Sequence, residues 1–588
     1  MDNENAAMLL TSLLERVERE QTIGVVSSLE RQALQLALAA LGGTGSPAPA
    51  AAQPPLPPAP APAAAGIDAK AAQATPAEVP PSAHPHAPPA PPKLPAVTLV
   101  LNSLDSETPT DPDVLMCLDF GTAMSKAFAT VSPDEYLELE LGTAAGQRGY
   151  TLPSSVFIGD DGKAYFGFEA IDHSQDLVDS GRERLDSIKG WLSLRREGNL
   201  DGQPCVLQPA LNPTPYRLTQ GDLIRFYLAY LTDMACTALG GYEIQDKTIG
   251  RYARRRFARP CWPDAAQAQW ADKLMRSMLA EAQILADTFS GKWTGGIDVA
   301  ELKAAVEQIK LLGKRPDYLI DEGVPEPVAV AAGAIADSQN LRDAFMVVDV
   351  GAGTTDFGLF VSTRMSGDED DLPRVFQVPA SIQGLMQAGD KVDTMLRLFI
   401  TRKESVDTAD NSGRMISADL GRRIRGLKET LFKTGKLEYA LADGTVGQVT
   451  LEEFLSDEAV KRFSVAVDTG FKKSLGALDQ TWLQWLARDG VRLNVVLTGG
   501  SSALPMMKAL GQGVIEVNGF RILRQPIDPK PDWMDGVSDE LVAVYGQLAV
   551  AIGGAAESMP ETLTAPPKFG GAGGRSNYVV DRFQVSGT

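Results

Sequence analysis

The stretch Phe345-Met-Val-Val-Asp-Val-Gly-Ala-Gly-Thr-Thr-Asp-Phe-Gly-Leu-Phe-Val361 restricts the possible folds more than any other. An apolar run from Phe345 to Val348 meets Asp349, two glycines, two threonines and Asp356, and then turns apolar again. This pattern predicts a hairpin of two buried strands whose tight turn carries all the polarity. Gly351 and Gly353 let the backbone turn sharply and bring N–H groups up to a phosphate, and Thr354 and Thr355 can add hydroxyl donors. Asp349 and Asp356 flank the loop, where carboxylates can hold the water shell of a Mg ion. An ordinary glycine-rich hairpin turn has the same local pattern, so the choice depends on matching parts elsewhere.

One such part is Val114-Leu-Met-Cys-Leu-Asp-Phe-Gly-Thr-Ala-Met-Ser-Lys-Ala-Phe-Ala129, in which an apolar strand again ends in Asp-x-Gly-Thr and continues into a second strand. Asp119 and Asp349 are separated by 349 − 119 = 230 residues. Two such loops predict a duplicated architecture that presents two phosphate loops to one ligand.

Composition removes several function classes. A formal net charge of -20 argues against bulk electrostatic binding to nucleic acid or to an anionic membrane. Only three histidines occur, two of them (His84 and His86) in a proline-rich segment, which disfavours histidine catalysis or a histidine metal site. No run approaches the roughly 20 apolar residues of a membrane span. The four cysteines are widely spaced without a Cys-x-x-Cys, and the start is not signal-like, so reduced thiols in a cytoplasmic protein are expected.

Residues 6–20 and 28–41 carry helical apolar faces (Leu10, Leu13, Leu14, Val17; Leu34, Ala37, Leu38, Leu41), with Gly24 between them. Residues 1–42 therefore read as an amphipathic hairpin that docks on a partner, a second copy or the chain's own body; a loosely ordered tail is the alternative. Residues 43–97, rich in alanine and proline, read as a disordered spacer. Residues 557–588 read as a low-complexity tail. Helices are predicted over about 220–239, 264–287, 420–432 and 542–554, and a short hairpin near 436–450. The basic run Arg251 to Arg259 reads as an edge strand with solvated arginines rather than a nucleic-acid patch. The polar stretch up to about Arg315 reads as an insertion.

Five pieces in order resemble the actin-like ATPase superfamily, and most closely the nucleotide-binding domain of the seventy-kilodalton heat-shock (DnaK-like) chaperones. They are Asp119-Phe-Gly-Thr122, Pro325-Glu-Pro327 with the alanine-rich segment after it, Asp349 to Asp356, Gly499-Gly-Ser501 with Pro505, and Ala543 to Gly546. The resemblance implies an α/β fold of two ribonuclease H-like lobes, residues 98–330 and 331–556, around a nucleotide cleft that takes ATP or ADP with Mg. It implies that Asp119 and Asp349 organise the metal through water, and that Gly121, Thr122, Gly351, Gly353, Thr354 and Thr355 surround the phosphates. Lys189 would steady the terminal phosphate and the attacking water, and Glu326 and Asp356 would orient water and metal. Lys428, Gly499, Gly500 and Ser501 would form the adenosine pocket. Phosphoryl transfer needs positioning and charge neutralisation more than a covalent nucleophile, which agrees with this set.

The chain also departs from the family. Ala123 and Met124 replace a threonine and a tyrosine, Ala352 a glycine, Arg425 an adenosine-contacting acid, and Ala503 an arginine that packs on the base. The acids and Lys189 remain, so Mg-ATP binding with slow hydrolysis is expected. Only about thirty residues follow the second lobe, so no client-peptide domain is expected, and a nucleotide-dependent switch acting on a protein partner through residues 1–42 or a lobe surface is the leading expectation. Ala388-Gly-Asp-Lys-Val-Asp393 resembles bacterial actin-like cytoskeletal proteins, which makes a self-associating filament the main rival. A nucleotide-binding pseudo-enzyme scaffold and a sugar-kinase-type enzyme are further alternatives.

Overall fold

Both acid-and-glycine stretches fold as hairpins, because each places a run of apolar residues on either side of a turn that only small residues can make. In the computed structural model the first pairs Val114–Asp119 (β1) with Met124–Val131 (β2), and the second pairs Asp343–Val350 (β6) with Thr355–Thr363 (β7), both antiparallel. The structure describes residues 92–132, 135–175, 182–262, 264–335, 343–363 and 374–567. The amino-terminal hairpin, most of the Ala/Pro spacer and the end of the tail lie outside them.

Each hairpin nucleates a mixed sheet. Glu135–Leu137 (β3) pairs antiparallel with β2, while Arg254–Arg259 (β4) and Ile320–Pro325 (β5) extend the other side in parallel, giving the order β5-β4-β1-β2-β3. In the second sheet Arg374–Leu385 (β8) pairs antiparallel with β7, and Leu493–Thr498 (β9) and Phe520–Ile527 (β10) run parallel to β6, giving β10-β9-β6-β7-β8. Strand order and strand sense are thus the same in both sheets. Short strands are added: Thr151–Pro153 pairs with β2 beside β3, Gly513–Val517 with the edge strand β10 and Glu561–Thr562 with the edge strand β8.

Helices cover the sheets, and most begin at a side-chain cap that accepts from otherwise unpaired N–H groups. Thr219 and Asp222 form a capping box for Gln220–Leu239 (α1), and Asp264 caps Ala265–Thr288 (α2), the two helices the periodicity predicts. The stretch read as an insertion instead contains Val299–Leu311 (α3), whose buried Val299, Leu302, Val306 and Ile309 join the first core. Glu326–Ala334 (α4) follows β5 and contains the 330/331 lobe boundary proposed from sequence. Gly389–Lys403 (α5), Asn411–Thr434 (α6) and Glu458–Gly476 (α7) accompany the second sheet, and Phe471 of α7 packs edge-to-face on Phe357. Asp539–Gly554 (α8), capped by Ser538, is the last helix among the described residues.

The arginine-rich strand corrects a sequence expectation. β4 is an interior strand between β1 and β5, not an edge. Arg255 is fully buried and donates to the carbonyls of Ala253 and Arg251. Arg256 donates to the carbonyls of Ala556 (2.5 Å) and Gly554 (3.4 Å), placing a cation at the carbonyl end of α8. Their aliphatic stems and the carbonyls that accept from Arg255 Nη2 and Arg256 Nη1 let these two arginines occupy positions usually held by apolar residues, although Arg255 Nη1 and Arg256 Nε are buried without a hydrogen-bond partner.

Between the sheets a third apolar cluster, including Cys117, Phe345, Val347, Val496, Leu548 and Ile552, holds α4 and α8. The two helices meet backbone to backbone. A Cβ added at Gly333 would lie 3.1 Å from Gly553 Cα, and one at Gly553 would lie 2.6 Å from the carbonyl carbon of Ala329 and closer still to its oxygen. All four cysteines are free and buried. Among the described residues no helix is long and apolar enough to cross a membrane.

Candidate functional site

The turns of the two hairpins face each other. Gly121 donates to Asp119 O at 3.0 Å, and Gly351 donates to Thr354 O at 3.0 Å, closing each turn. A Cβ at Gly353 would come within 2.8 Å of Thr122 Oγ1, so loop meets loop with no room for a side chain. Ala352 does not have a left-handed backbone, so its methyl group introduces no conformational strain. Its carbonyl accepts from Asp390 N–H (2.8 Å), and Gly351 O accepts from Gly389 N–H (3.2 Å), which seats the start of α5 on the second loop.

These loops form the floor of a cleft whose empty space is about 890 Å³, counting the part open to solvent. Of the residues singled out from sequence, Asp119, Gly121, Thr122, Lys189, Glu326, Asp349, Gly351, Gly353, Thr354, Lys428, Gly499, Gly500 and Ser501 all line it, although they come from distant parts of the chain. Gly499 follows β9 at φ +87, and a Cβ there would sit 2.6 Å from Val350 C, so the β9 turn lies directly on β6. Ser501 N–H donates to Val350 O (3.0 Å), and Gly499 N–H donates to Gly546 O (2.6 Å) on α8.

Thr355 and Asp356 are not in the lining, contrary to expectation. Thr355 is buried and its hydroxyl donates to Gln387 O (2.8 Å). Asp356 is directly across the hairpin from Asp349, but the segment at Cys261 covers it, and its Oδ1 accepts Cys261 N–H at 2.6 Å. It stands in the layer behind the cleft rather than in its lining.

The electrostatics are those of carboxylates out of water. Asp349 accepts a hydrogen bond from Thr498 Oγ1 at 2.8 Å, and its pKa is pushed up to about 7 by burial and by the charges of Glu326 and Asp119. Burial, with Glu326 adding, holds the Asp356 carboxyl well above the usual range. Lys189 Nζ and Glu326 Oε1 form a buried ion pair at 2.8 Å. Burial works against that ammonium, but Glu326, Asp119 and Asp356 outweigh it and raise the lysine's pKa. The excess of buried negative charge makes the floor a place where a cation is stabilising.

The donor set limits how a metal fits. Among the described residues no group of three or more His, Cys, Asp or Glu is placed to enclose an ion. With Glu326 committed to Lys189, the two loop carboxylates Asp119 and Asp349 are a donor set that could hold Mg, which keeps several waters and binds through one or two carboxylates together with substrate phosphates.

Eight lining residues had no role assigned from sequence: Lys126, Glu429, Gln547 and Val550, and Ala123, Met124, Ala352 and Arg425, which were noted only as departures. Lys126 Nζ sits 3.0 Å from Asp119 Oδ2. Strand alternation offered a signal, since Lys126 follows Met124 by two residues on β2 and both line the cleft. Arg425 and Glu429 flank Lys428 at helical spacing. Gln547 and Val550 gave no local sign and arrive only because α8 crosses the floor. Lys428 pairs with Asp393 at 2.8 Å, and Arg425 lies 3.7 Å from Asp390.

Compared with known proteins, the chain matches no family model and no curated protein.

Proposed function

We propose that this chain is an actin-like ATPase, most similar to the DnaK-like nucleotide-binding domain, that works as a nucleotide-dependent conformational switch with slow ATP hydrolysis. The observation that carries this reading is the convergence of two Asp-x-Gly turns, from equivalent hairpins of two sheets with the same strand order, on one cleft. In this reading the sheets and their helices are duplicated ribonuclease H-like lobes.

Bound Mg-ATP would supply the transferable phosphoryl group and the positive charge that the buried carboxylates lack. Asp119 and Asp349 would hold the metal through its waters, and the N–H groups of Thr122, Ala352, Gly353 and Thr354 with the two threonine hydroxyls would hold the phosphates, the Gly121 and Gly351 N–H groups being spent on closing the turns. Lys126 and Lys189 place two ammonium groups at the same floor. Lys189 is kept charged and oriented by Glu326, so it can position a phosphate oxygen or a water but has no free proton-accepting role. Its commitment to Glu326 supports slow turnover. The α4–α8 crossing is the contact about which the lobes would rock, because it joins them through glycine backbones rather than interlocking side chains.

The test is Mg-dependent ATP turnover of the full chain against Asp349→Asn and Lys189→Ala. Loss of at least about 100-fold in both, on the scale of removing one preorganised electrostatic group, is expected. Wild-type turnover in both variants would overturn the assignment. Tight nucleotide binding without measurable turnover in the wild type would favour the pseudo-enzyme scaffold.

A further inference from the structure

The α4–α8 crossing is not the only place where the two halves of the molecule meet. Segment 184–188 belongs to the first core: Leu185 exchanges main-chain hydrogen bonds with Val156, and Ile188 is fully buried there. Its polar side chains reach across to α5 and α6, whose apolar faces belong to the core on the second sheet. Ser187 Oγ donates to Asp390 Oδ2 on α5 at 2.8 Å, and Arg184 Nη2 donates to the carbonyl of Arg422 on α6 at 3.3 Å. Arg184 is held in place for that contact. Its Nε and Nη2 donate to the two oxygens of Asp186 (2.6 and 2.9 Å), its Nη1 donates to Ser174 Oγ (2.8 Å), and Asp186 also accepts from Ser155 Oγ (2.6 Å).

This junction borders the cleft from both sides. Lys189, two residues after Ser187, is in the lining, and so is Arg425, which lies 3.7 Å from Asp390. Arg184, Ser187 and Asp390 are not in the lining themselves. Asp390 serves two neighbours through different groups: its main-chain N–H donates to Ala352 O on the second loop at 2.8 Å, and its side chain accepts from Ser187. Removing that side chain would cut the junction and leave the seat of the loop intact.

We propose that the Ser187–Asp390 bond, supported by Arg184 on the Arg422 carbonyl, is a latch that sets how fast nucleotide enters and leaves the cleft. The inference rests on the nucleotide-cleft reading above and adds its kinetic control. Rocking about the α4–α8 crossing can part the walls only by breaking these bonds, because a side-chain hydrogen bond does not survive a separation beyond about 3.5 Å. A bond made in the closed cleft and lost in the open one slows opening without touching the nucleotide. A hydrogen bond to a carboxylate is of the stronger, charge-assisted kind, so its loss speeds opening by on the order of tenfold. Entry and exit use the same opening, so both rates rise together and the equilibrium affinity hardly changes.

The experiment is stopped-flow fluorescence of the full chain with Mg and methylanthraniloyl-ADP, for the wild type, Ser187→Ala, Ser187→Thr, Asp390→Ala and the Ser187→Ala/Asp390→Ala double variant. Association and dissociation rate constants should both rise about tenfold in Ser187→Ala and in Asp390→Ala, with the Kd within about twofold of wild type. Ser187→Thr keeps the hydroxyl and should keep wild-type rates. The double variant should be no faster than the faster single one, because one bond cannot be lost twice. Wild-type rates in both alanine variants, faster dissociation alone with a matching loss of affinity, effects that multiply in the double variant, or equal acceleration by Ser187→Thr and Ser187→Ala each overturn the latch while leaving the nucleotide cleft standing. If the probe does not bind the wild type, the cleft reading falls and this inference with it.

Discussion

Gly546 and Gly553 lie on the same helix, α8, and the structure gives them opposite fates on substitution by alanine. A Cβ at Gly546 meets no atom within 4 Å, whereas one at Gly553 lies 2.6 Å from Ala329 C and 3.0 Å from Gly333 N on α4. Both substitutions gain helix propensity, about 1 kcal/mol for Gly to Ala in a helix interior. Only Gly553→Ala also forces apart two backbones that cannot rotate out of the way. Overpacking costs typically about 1–3 kcal/mol, and a clash with main-chain atoms belongs at the upper end. The net expectation is a gain of up to about 1 kcal/mol for Gly546→Ala and a loss of about 2 kcal/mol for Gly553→Ala. Urea unfolding of the full chain, with the midpoint compared at unchanged slope, measures both. Because Glu326 opens α4, Gly553→Ala should also weaken nucleotide-dependent turnover more than Gly546→Ala does. Equal midpoints for the two variants would refute the claim that the glycine crossing holds the two sheets together.

Three other outcomes follow from the site. Asp349 titrates near 7 in the fold against 3.8 in an ordinary aspartate, so between these values the folded chain keeps a proton that the unfolded chain has released. Its contribution to stability therefore falls as pH rises from about 4 to about 7. Thermal midpoints across that window should show Asp349→Asn gaining on the wild type with rising pH, and Mg with nucleotide should reduce the gain; parallel profiles would contradict the buried-carboxylate account. Breaking the Lys189–Glu326 pair by Glu326→Gln alone should destabilise by about 3–5 kcal/mol because a buried ammonium loses its nearest partner. Lys189→Met combined with Glu326→Gln should recover much of the loss in a double-mutant cycle. Gly499→Ala, at φ +87 and against Val350, should lower stability and nucleotide affinity together, whereas Gly500→Ala should affect affinity alone.

Much of the site was legible because it is made of local devices. A strand, an acid, a tight glycine turn and a second strand form a hairpin wherever they occur, and the turn then presents N–H groups without help from the rest of the chain. The errors arose where neighbours decide. Thr355 and Asp356 belong to the same motif as Thr354, yet β7 turns one to Gln387 and the Cys261 segment covers the other. The arginines of β4 look solvated in sequence, and only the flanking β1 and β5 and the end of α8 bury Arg255 and half-bury Arg256.

By itself the sequence determined two phosphate-loop-like hairpins, the helices that follow them and most of the residues that line the cleft, because backbone turns and apolar periodicity are set by residues a few positions apart. The duplication leads to the expectation that both loops face one ligand; the tertiary structure alone decided that α4 and α8 touch through glycine and that Lys126, Glu429 and Gln547 join the site. Those outcomes depend on sheets and helices separated by hundreds of residues being packed together, and no local pattern records the surface that a distant element will present.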